Sequence, residues 1–254
     1  MFAQDTDTLS AFSDAEQEAE YQSFYAADEE DDEEVMGKTI VQGGSTGKVN
    51  TRPVSTPNQE PCKMWAILVA DTYDENIGED DTYDNLALNK ELKAIAQCLG
   101  IEISITNITA NRAYNKHNLA NAIKNKGARL SVVITDCCNS KYGERGPRQK
   151  ENTLFSRSNT RVSKKRMSEL FLDTKGMILA TAAKPGEYAW SFEGTGSAFT
   201  QSFISQLRKE VSATHTESPS WQRLLDNAIE SARKKTTSCE NTQHGMRYMS
   251  ISKQ

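Results

Sequence analysis

Histidine, cysteine and long apolar runs are all scarce in this chain of 254 residues, which has three histidines and five cysteines. The cysteines are odd in number and lack the spacing of zinc ligands, so we predict neither a disulfide framework nor a metal site. No apolar run is long enough to cross a membrane, and no basic segment followed by an apolar core marks a complete signal peptide. We therefore expect a soluble protein, either cytoplasmic or exported with its signal peptide already removed.

Lysine and arginine are missing from the first 37 residues, which carry 13 acidic residues. Residues 38–254 carry 22 acidic and 30 basic residues, so an acidic tail precedes a body with a net charge of +8. Residues 41–61 are rich in Gly, Ser, Thr, Asn and Pro, which is the composition of a linker. We predict a disordered acidic N-terminal tail and linker over residues 1–60 and one folded domain over residues 61–254. A pro-segment that masks the basic body is the alternative for the tail.

Short apolar runs alternate with amphipathic segments throughout the predicted domain. Buried strands are predicted at residues 65–70, in the first half of the stretch 128–140, and at 177–183. An alternating strand is predicted at 101–105 and a closing edge strand at 246–251. Helices are predicted at residues 85–99, 116–126, 199–207 and 219–229. This alternation predicts an α/β fold with a mainly parallel sheet and helices on both faces.

An acid, two thiols, an amide and a hydroxyl follow the third predicted strand, in the stretch Asp136-Cys137-Cys138-Asn139-Ser140. Side chains just past the carboxyl end of a parallel strand line the functional crevice of many α/β proteins. Free cysteines also pack as small hydrophobes, so the motif by itself leaves two interpretations open.

A long basic loop is predicted after this motif. Residues 141–166 contain nine basic and two acidic residues, with glycine and proline as breakers. The loop has only two aromatic residues, Tyr142 and Phe155, on which bases could stack, so we expect no nucleic-acid partner.

Four pieces of the sequence, in order between residues 63 and 252, carry a family pattern. They are the first strand with its exit Ala70-Asp71-Thr72, the segment 126–140, the segment 182–190, and Gly194-Thr195-Gly196-Ser197 entering a helix. Together they resemble the caspase-like cysteine peptidases, in particular the bacterial caspase-domain and metacaspase branch. The resemblance implies a caspase-like fold and a cysteine endopeptidase that cleaves after Arg or Lys.

The resemblance also implies roles for single residues. Cys138 matches the nucleophile, which forms a thioester with the substrate, and Asp136 matches an acid that binds a basic residue of the substrate. A buried carboxylate can select Arg or Lys through charge-assisted hydrogen bonds. Asp84, or with less support Asp81, could supply a second acid to that pocket, although an acid at a helix start is the alternative for Asp84.

Trp190 and Ser191 match a substrate-facing loop of the family. The partner implied is a polypeptide substrate with basic residues, and the basic loop 141–166 becomes a candidate for self-processing. No membrane partner is expected.

One family feature is missing, because no Ser-Gly-His-Gly type turn is present to supply the histidine that activates the thiol. The chain runs from residues 119–123 directly into residues 126–130, so a whole strand–helix unit is predicted to be absent. His117, at the start of a helix, is the candidate substitute, with a surface histidine as the alternative. His215, in a polar loop, and His244, at the closing strand, are not favoured. A catalytically inactive pseudo-peptidase that binds or regulates, or a shortened or engineered form of an active relative, is therefore the alternative function.

Calcium is an open question, because metacaspase-like members often respond to it. Glu79, Asp80 and Asp81 form an acidic run, but they lack the ligand spacing of a calcium loop. Exposed acids of this kind are usually only solvated. We predict no cofactor, with calcium as the alternative.

Overall fold

The computed structural model describes residues 62–70, 78–109, 116–137, 148–149, 161–193 and 195–253. All of them fall within one compact unit, Met36–Gln254, and the unit Met1–Val35 lies outside them. The predicted tail and its boundary at residue 60 therefore stay predictions.

Strands and helices alternate along the described part of the chain. The helices are α1 (Gly78–Leu99), α2 (Lys116–Lys124), α3 (Lys164–Phe171), α4 (Ala198–Glu210) and α5 (Trp221–Lys235). The strands are β1 (Lys63–Ala70), β2 (Glu102–Thr109), β3 (Leu130–Thr135), β4 (Arg148–Gln149), β5 (Thr174–Thr181), β6 (Ser191–Phe192), β7 (Gly196–Ser197) and β8 (Met246–Lys253). This arrangement confirms the predicted α/β fold class.

The central sheet has the order β3-β5-β8. Strand β3 pairs in parallel with β5, so that Thr135 lies opposite Thr181 at the carboxyl end of both strands. Strand β8 runs antiparallel on the other side of β5, with Met246 opposite Thr181. The apolar end of β5 is buried because it lies between two strands and under helices, as its continuous apolar run predicts. The start of β8 therefore lies at the same sheet edge as the exit from β3.

Strands β1 and β2 form a second sheet, in which they pair in parallel along their whole length. The prediction that β1 is a buried strand is wrong for one of its faces. Trp65, Ile67 and Val69 alternate along that face and are 75%, 52% and 36% exposed, whereas Met64 packs against the core. Alternate residues of a strand point to opposite faces, and β1 buries one face. Within the described residues, no strand pairs with both β1 and β3.

Helix α1 begins at Gly78, well before the predicted start at residue 85. The first turns of the helix are polar, so the apolar periodicity did not indicate this start. Asp84 lies in these turns and is buried although it is charged. Asp84 is therefore not an acid at the helix start, which corrects that interpretation. Farther along, Ile95 and Leu99 face the core, and Gly100 ends the helix with a φ of 73°.

The core lies where α4 and α5 pack with the central sheet. Phe199, Leu207 and Leu224 are almost fully buried there. Trp221 packs edge-to-face on Phe171, with ring centroids 5.2 Å apart, and its indole N–H donates to the Leu170 carbonyl. Among the described helices, none combines the length and the apolar character that a bilayer crossing requires.

The described parts of the predicted loop 141–166 hold regular structure at two places. Strand β4 pairs with β6, which in turn pairs with β7, in a small third sheet. The last three residues of the predicted loop belong to α3, whose N-cap Ser163 accepts from the Arg166 N–H. The expected continuous loop is therefore interrupted within the residues that can be described.

The contacts that join the chain before residue 138 to the chain after residue 160 include an arginine cap, an ion pair and a strand ladder. The guanidinium of Arg129 donates to the carbonyls of Phe171, Leu172 and Thr174 at the end of α3. Arg208 on α4 donates to the buried carboxylate of Glu91 on α1, with Nε 2.9 Å from Oε2. The strand ladder is that of β3 with β5.

Candidate functional site

Asp136 is the first residue past the carboxyl end of β3, and its two carboxylate oxygens have different surroundings. Oδ2 accepts three hydrogen bonds: from Thr200 N at 2.8 Å, from Thr200 Oγ1 at 2.6 Å, and from the Ser197 hydroxyl. Oδ1 is closed to solvent, and no described residue donates a hydrogen bond to it. A buried acceptor without a donor is uncommon in folded proteins and points to a missing proton or ligand.

Asp84 reaches the same place from α1 and is 9% exposed. Its Oδ2 accepts from Ser197 N and its Oδ1 from Gln201 Nε2, each at 2.8 Å. Gly196 makes this approach possible, because its φ is +91° and a Cβ there would lie 2.2 Å from Asp84 Oδ1. The backbone of β7 therefore passes directly against the carboxylate.

Both carboxylates are held by the N-terminus of α4, where Ser197 is the N-cap and also accepts from Thr200 N at 3.3 Å. Free N–H groups and the helix dipole favour negative charge at this end of a helix. Burial, and then the negative charge of Asp136, nevertheless raise the pKa of Asp84 to about 7. Burial also raises the pKa of Asp136, against the opposing hydrogen bonds from Ser197 and Thr200. Asp84 is thus poised to exchange a proton near neutral pH.

The structure brings together Asp84 and Asp136, which the sequence singled out. Ser197, Thr200 and Gln201, which hold these acids, were not predicted as site residues. A signal for part of this set was present, because a serine after glycine at the start of an apolar helix is a typical N-cap. Nothing in the sequence connected that cap with an acid more than one hundred residues earlier.

Trp190 lies in the core rather than on a substrate-facing loop, and it is 1% exposed. Its indole N–H donates to the Asn241 carbonyl at 2.6 Å, and its backbone N–H donates to Gln243 Oε1 at 2.9 Å. This placement differs from the predicted one, because a large ring with one polar atom is readily accommodated in a core that supplies the partner. Ser191 is half-buried, and its hydroxyl forms no hydrogen bond with the residues that can be described.

Cys138, the predicted nucleophile, lies outside the described residues, and its neighbour Cys137 is exposed. His117 lies in the first turn of α2, but its side chain is outside the description as well. The predicted Cys138–His117 dyad therefore stays a prediction.

The other two histidines are held by neighbouring side chains. His215 Nδ1 lies 3.2 Å from an Arg166 nitrogen. His244 lies just before β8 and is not part of that strand. Its Nδ1 lies 3.0 Å from Glu187 Oε1. Its backbone N–H donates to the other Glu187 oxygen at 2.9 Å, so Glu187 holds this residue at two points.

Among the residues available to description, no group of three or more His, Cys, Asp or Glu side chains is arranged to hold a metal ion. The side chains of Glu79 and Asp80 fall outside that set. The calcium alternative therefore stays untested.

Comparison with known families matches residues 90–248 to the caspase domain. The match includes Asp136 and the N-terminus of α4, and it begins after Asp84. No curated protein matches the chain. Among solved structures, the crystal structure of caspase-1 from Spodoptera frugiperda is similar at 13% identity, over 78% of this chain and 95% of that one, with a TM-score of 0.39.

Proposed function

Because the chain belongs to the caspase domain family, we propose that it is a cysteine endopeptidase that cleaves after Arg or Lys, with Cys138 as its nucleophile. The observation that carries the substrate preference is the buried pair Asp84–Asp136 at the exit of β3. Among the described residues, none donates to one of its four oxygens, Asp136 Oδ1.

A cationic side chain suits this pair chemically. No described lysine, arginine or histidine forms a hydrogen bond or ion pair with either carboxylate, so their negative charge lacks a counter-ion within that part of the chain. A guanidinium or ammonium group would supply both a positive charge and a donor for Oδ1. Hydrogen bonds with two charged partners are stronger than neutral ones, so the pair favours Arg and Lys over uncharged residues.

The spacing between Asp136 and Cys138 fits cleavage directly after the bound residue. Two residues of extended chain span at most about 7 Å, which is comparable with the reach of an extended Arg or Lys side chain. In the proposed reaction, His117 takes the proton of the Cys138 thiol, the thiolate attacks the substrate carbonyl, the peptide C–N bond breaks, and the amine product leaves with that proton. Water then hydrolyses the thioester and regenerates the thiol. The attack requires a base, because an unperturbed thiol has a pKa of about 8.5, and His117 is the proposed base.

A catalytically inactive binding or regulatory module is the second candidate. It is favoured by the absence from the sequence of a Ser-Gly-His-Gly type turn and by the placement of β1 and β3 in separate sheets of the described structure. Such a module would keep the acid pair and bind basic peptides without cleaving them. A shortened or engineered form of an active relative would behave in the same way.

Peptide cleavage separates these candidates. Fluorogenic peptides that end in Arg, Lys or Asp are incubated with the wild-type chain and with the Cys138→Ala and His117→Ala variants. The proposal expects turnover of the Arg and Lys peptides alone, abolished in Cys138→Ala and strongly reduced in His117→Ala. Full activity of His117→Ala would exclude His117 as the base, and binding of Arg peptides without any turnover would favour the inactive module.

A further inference from the structure

The hydrogen bonds of Asp136 are distributed very unevenly between its two oxygens. All three donors, two from Thr200 and one from Ser197, converge on Oδ2. Oδ1 is shielded from solvent and receives no hydrogen bond from the part of the chain that the structure describes. The three donors fix the rotation of the carboxylate, so the direction in which Oδ1 points is set by the first turn of α4.

The same turn fixes Asp84. Ser197 donates its backbone N–H to Asp84 while its hydroxyl donates to Asp136. Gln201, on the next turn, holds the second oxygen of Asp84. One rigid helix end therefore sets the relative position of two like charges, which would otherwise move apart.

No described charge from the surrounding elements offsets the pair. On α1, the next buried acid on the same side of the helix is Glu91, and Arg208 of α4 already neutralises it. The first turn of α4 contains no acidic side chain, and β7 contributes Gly196 and Ser197. Because two adjacent buried carboxylates without a counter-charge resist ionising together, a shared proton is the simplest partner for them at and below neutral pH.

We propose that Ser197 and Thr200 are positioning residues that reserve Asp136 Oδ1 for one exchangeable donor, which is a proton in the free protein and the substrate's cationic side chain in the complex. This inference rests on the proposed Arg or Lys specificity and adds to it a coupling between binding of the cation and release of a proton. On binding, the cation enters with its positive charge, and one proton leaves the pair for solvent. Net charge at the pair is conserved in the exchange. The raised pKa of Asp84 supports this coupling, because it places a proton on the pair at and below neutral pH.

Calorimetry with benzamidine, a soluble amidinium, measures the proton directly. The full chain is titrated in buffers of different ionisation enthalpy at pH 6.0 and pH 8.5. With the pKa of Asp84 near 7, we expect about 0.9 protons released per benzamidine at pH 6.0 and close to none at pH 8.5. Binding at pH 6.0 with no proton release would overturn the exchange and leave the proposed cation site standing.

Thr200→Val tests the positioning role, because it removes one donor to Oδ2 while keeping the shape and the backbone N–H. We expect benzamidine to bind about tenfold more weakly, since a hydrogen bond to a charged group is lost. The pH midpoint of binding should also move upward, because the ionised form of the pair loses a donor. Thr200→Ser should restore both the affinity and the midpoint.

Thr237→Val is the matched control, since Thr237 is exposed at the end of α5 and its hydroxyl bonds the Arg233 carbonyl. It should bind as wild type does. Circular dichroism checks that each variant is folded. Unchanged binding and an unchanged pH midpoint in folded Thr200→Val would overturn the positioning role. Failure of wild type to bind benzamidine while it cleaves Arg peptides would overturn the inference alone, and failure of both would overturn the proposed function too.

Discussion

A proton on Asp84 links the candidate site to the stability of the fold. The pKa of this carboxyl rises from 3.8 to about 7 on folding, through burial and the charge of Asp136. The folded chain therefore binds a proton between about pH 4 and pH 7 that the unfolded chain releases. Stability from this group is fully present below pH 4 and is lost as the pH rises through 7.

Asp84→Asn should remove this pH dependence. The amide is nearly isosteric and uncharged, and Gln201 can turn its own amide to match it. At pH 8 we expect the variant to be more stable than wild type by up to about 4 kcal/mol, and at pH 4 about equal to it. Urea unfolding at several pH values measures the difference. A difference in unfolding free energy that stays constant across pH 4–8 would contradict the raised pKa of Asp84.

Gly196 and Gly186 form a natural comparison at the residue scale. Both have a positive φ, +91° and +81°, but a Cβ at Gly196 would collide with Asp84, whereas a Cβ at Gly186 meets nothing within 4 Å. We expect Gly186→Ala to cost about 1 kcal/mol from backbone strain alone. Gly196→Ala should cost at least about 2 kcal/mol more and abolish benzamidine binding. Equal urea midpoints for the two variants would show that the collision is relieved cheaply.

Strand β1 offers a test at the scale of the element. Its outward residue Ile67 is 52% exposed, whereas Ile178 of β5 is fully buried. We expect Ile67→Thr to change the free energy of unfolding by less than about 1 kcal/mol and Ile178→Thr to lower it by about 2–4 kcal/mol. Denaturant titration of both variants provides the comparison. A large loss in Ile67→Thr would mean that this face of β1 is covered in solution.

The elements also show where sequence reasoning succeeds and where it stops. The positions of β3 and β5 are predictable because continuous β-branched and apolar runs mark strands, and the end of β5 is buried as its run predicts, whereas β3 is only partly buried. The exposure of one face of β1 is not predictable, because the sequence of β1 is equally apolar. Whether that face is buried depends on a neighbouring element that the sequence pattern does not reveal. The first turns of α1 are missed for a related reason, since their polar residues break the apolar period.

The candidate site was predictable in part. Family resemblance singled out Asp84 and Asp136, but it treated the role of Asp84 as uncertain. What fixes that role is the approach of Ser197 and Gln201 from α4, and contacts across such a sequence distance arise from the tertiary fold. Ser197 is the N-cap of α4, and the same residue also donates to both acids.

At the scale of the whole molecule, the ties across residues 138–160 predict how the chain responds to a cut. The ladder of β3 with β5, the Arg129 cap on α3 and the Glu91–Arg208 pair all join the two sides. If residues 151–160 carry an inserted site for a specific protease, the two fragments should coelute under native conditions and separate in denaturant. Size-exclusion chromatography reads this out.

Arg129→Ala should lower the denaturant concentration at which those fragments separate, because three carbonyls at the end of α3 lose their donor. Fragments that part without denaturant would refute the prediction. The same association would let self-processing in the basic loop, if it occurs, leave the acid pair assembled from both fragments.

The three tryptophans differ in burial, so their fluorescence can be separated into an exposed and a buried contribution. Trp65 on β1 is 75% exposed, whereas Trp190 and Trp221 are 1% and 3% exposed. A dissolved quencher such as iodide can reach Trp65 and quench its fluorescence. Trp190 and Trp221 are shielded from the quencher and emit at shorter wavelengths. Both shielded rings also follow residue 160, so the quenchable and unquenchable parts of the fluorescence come from opposite sides of the basic loop. Stopped-flow fluorescence can therefore time the ordering of each side separately, without any attached dye.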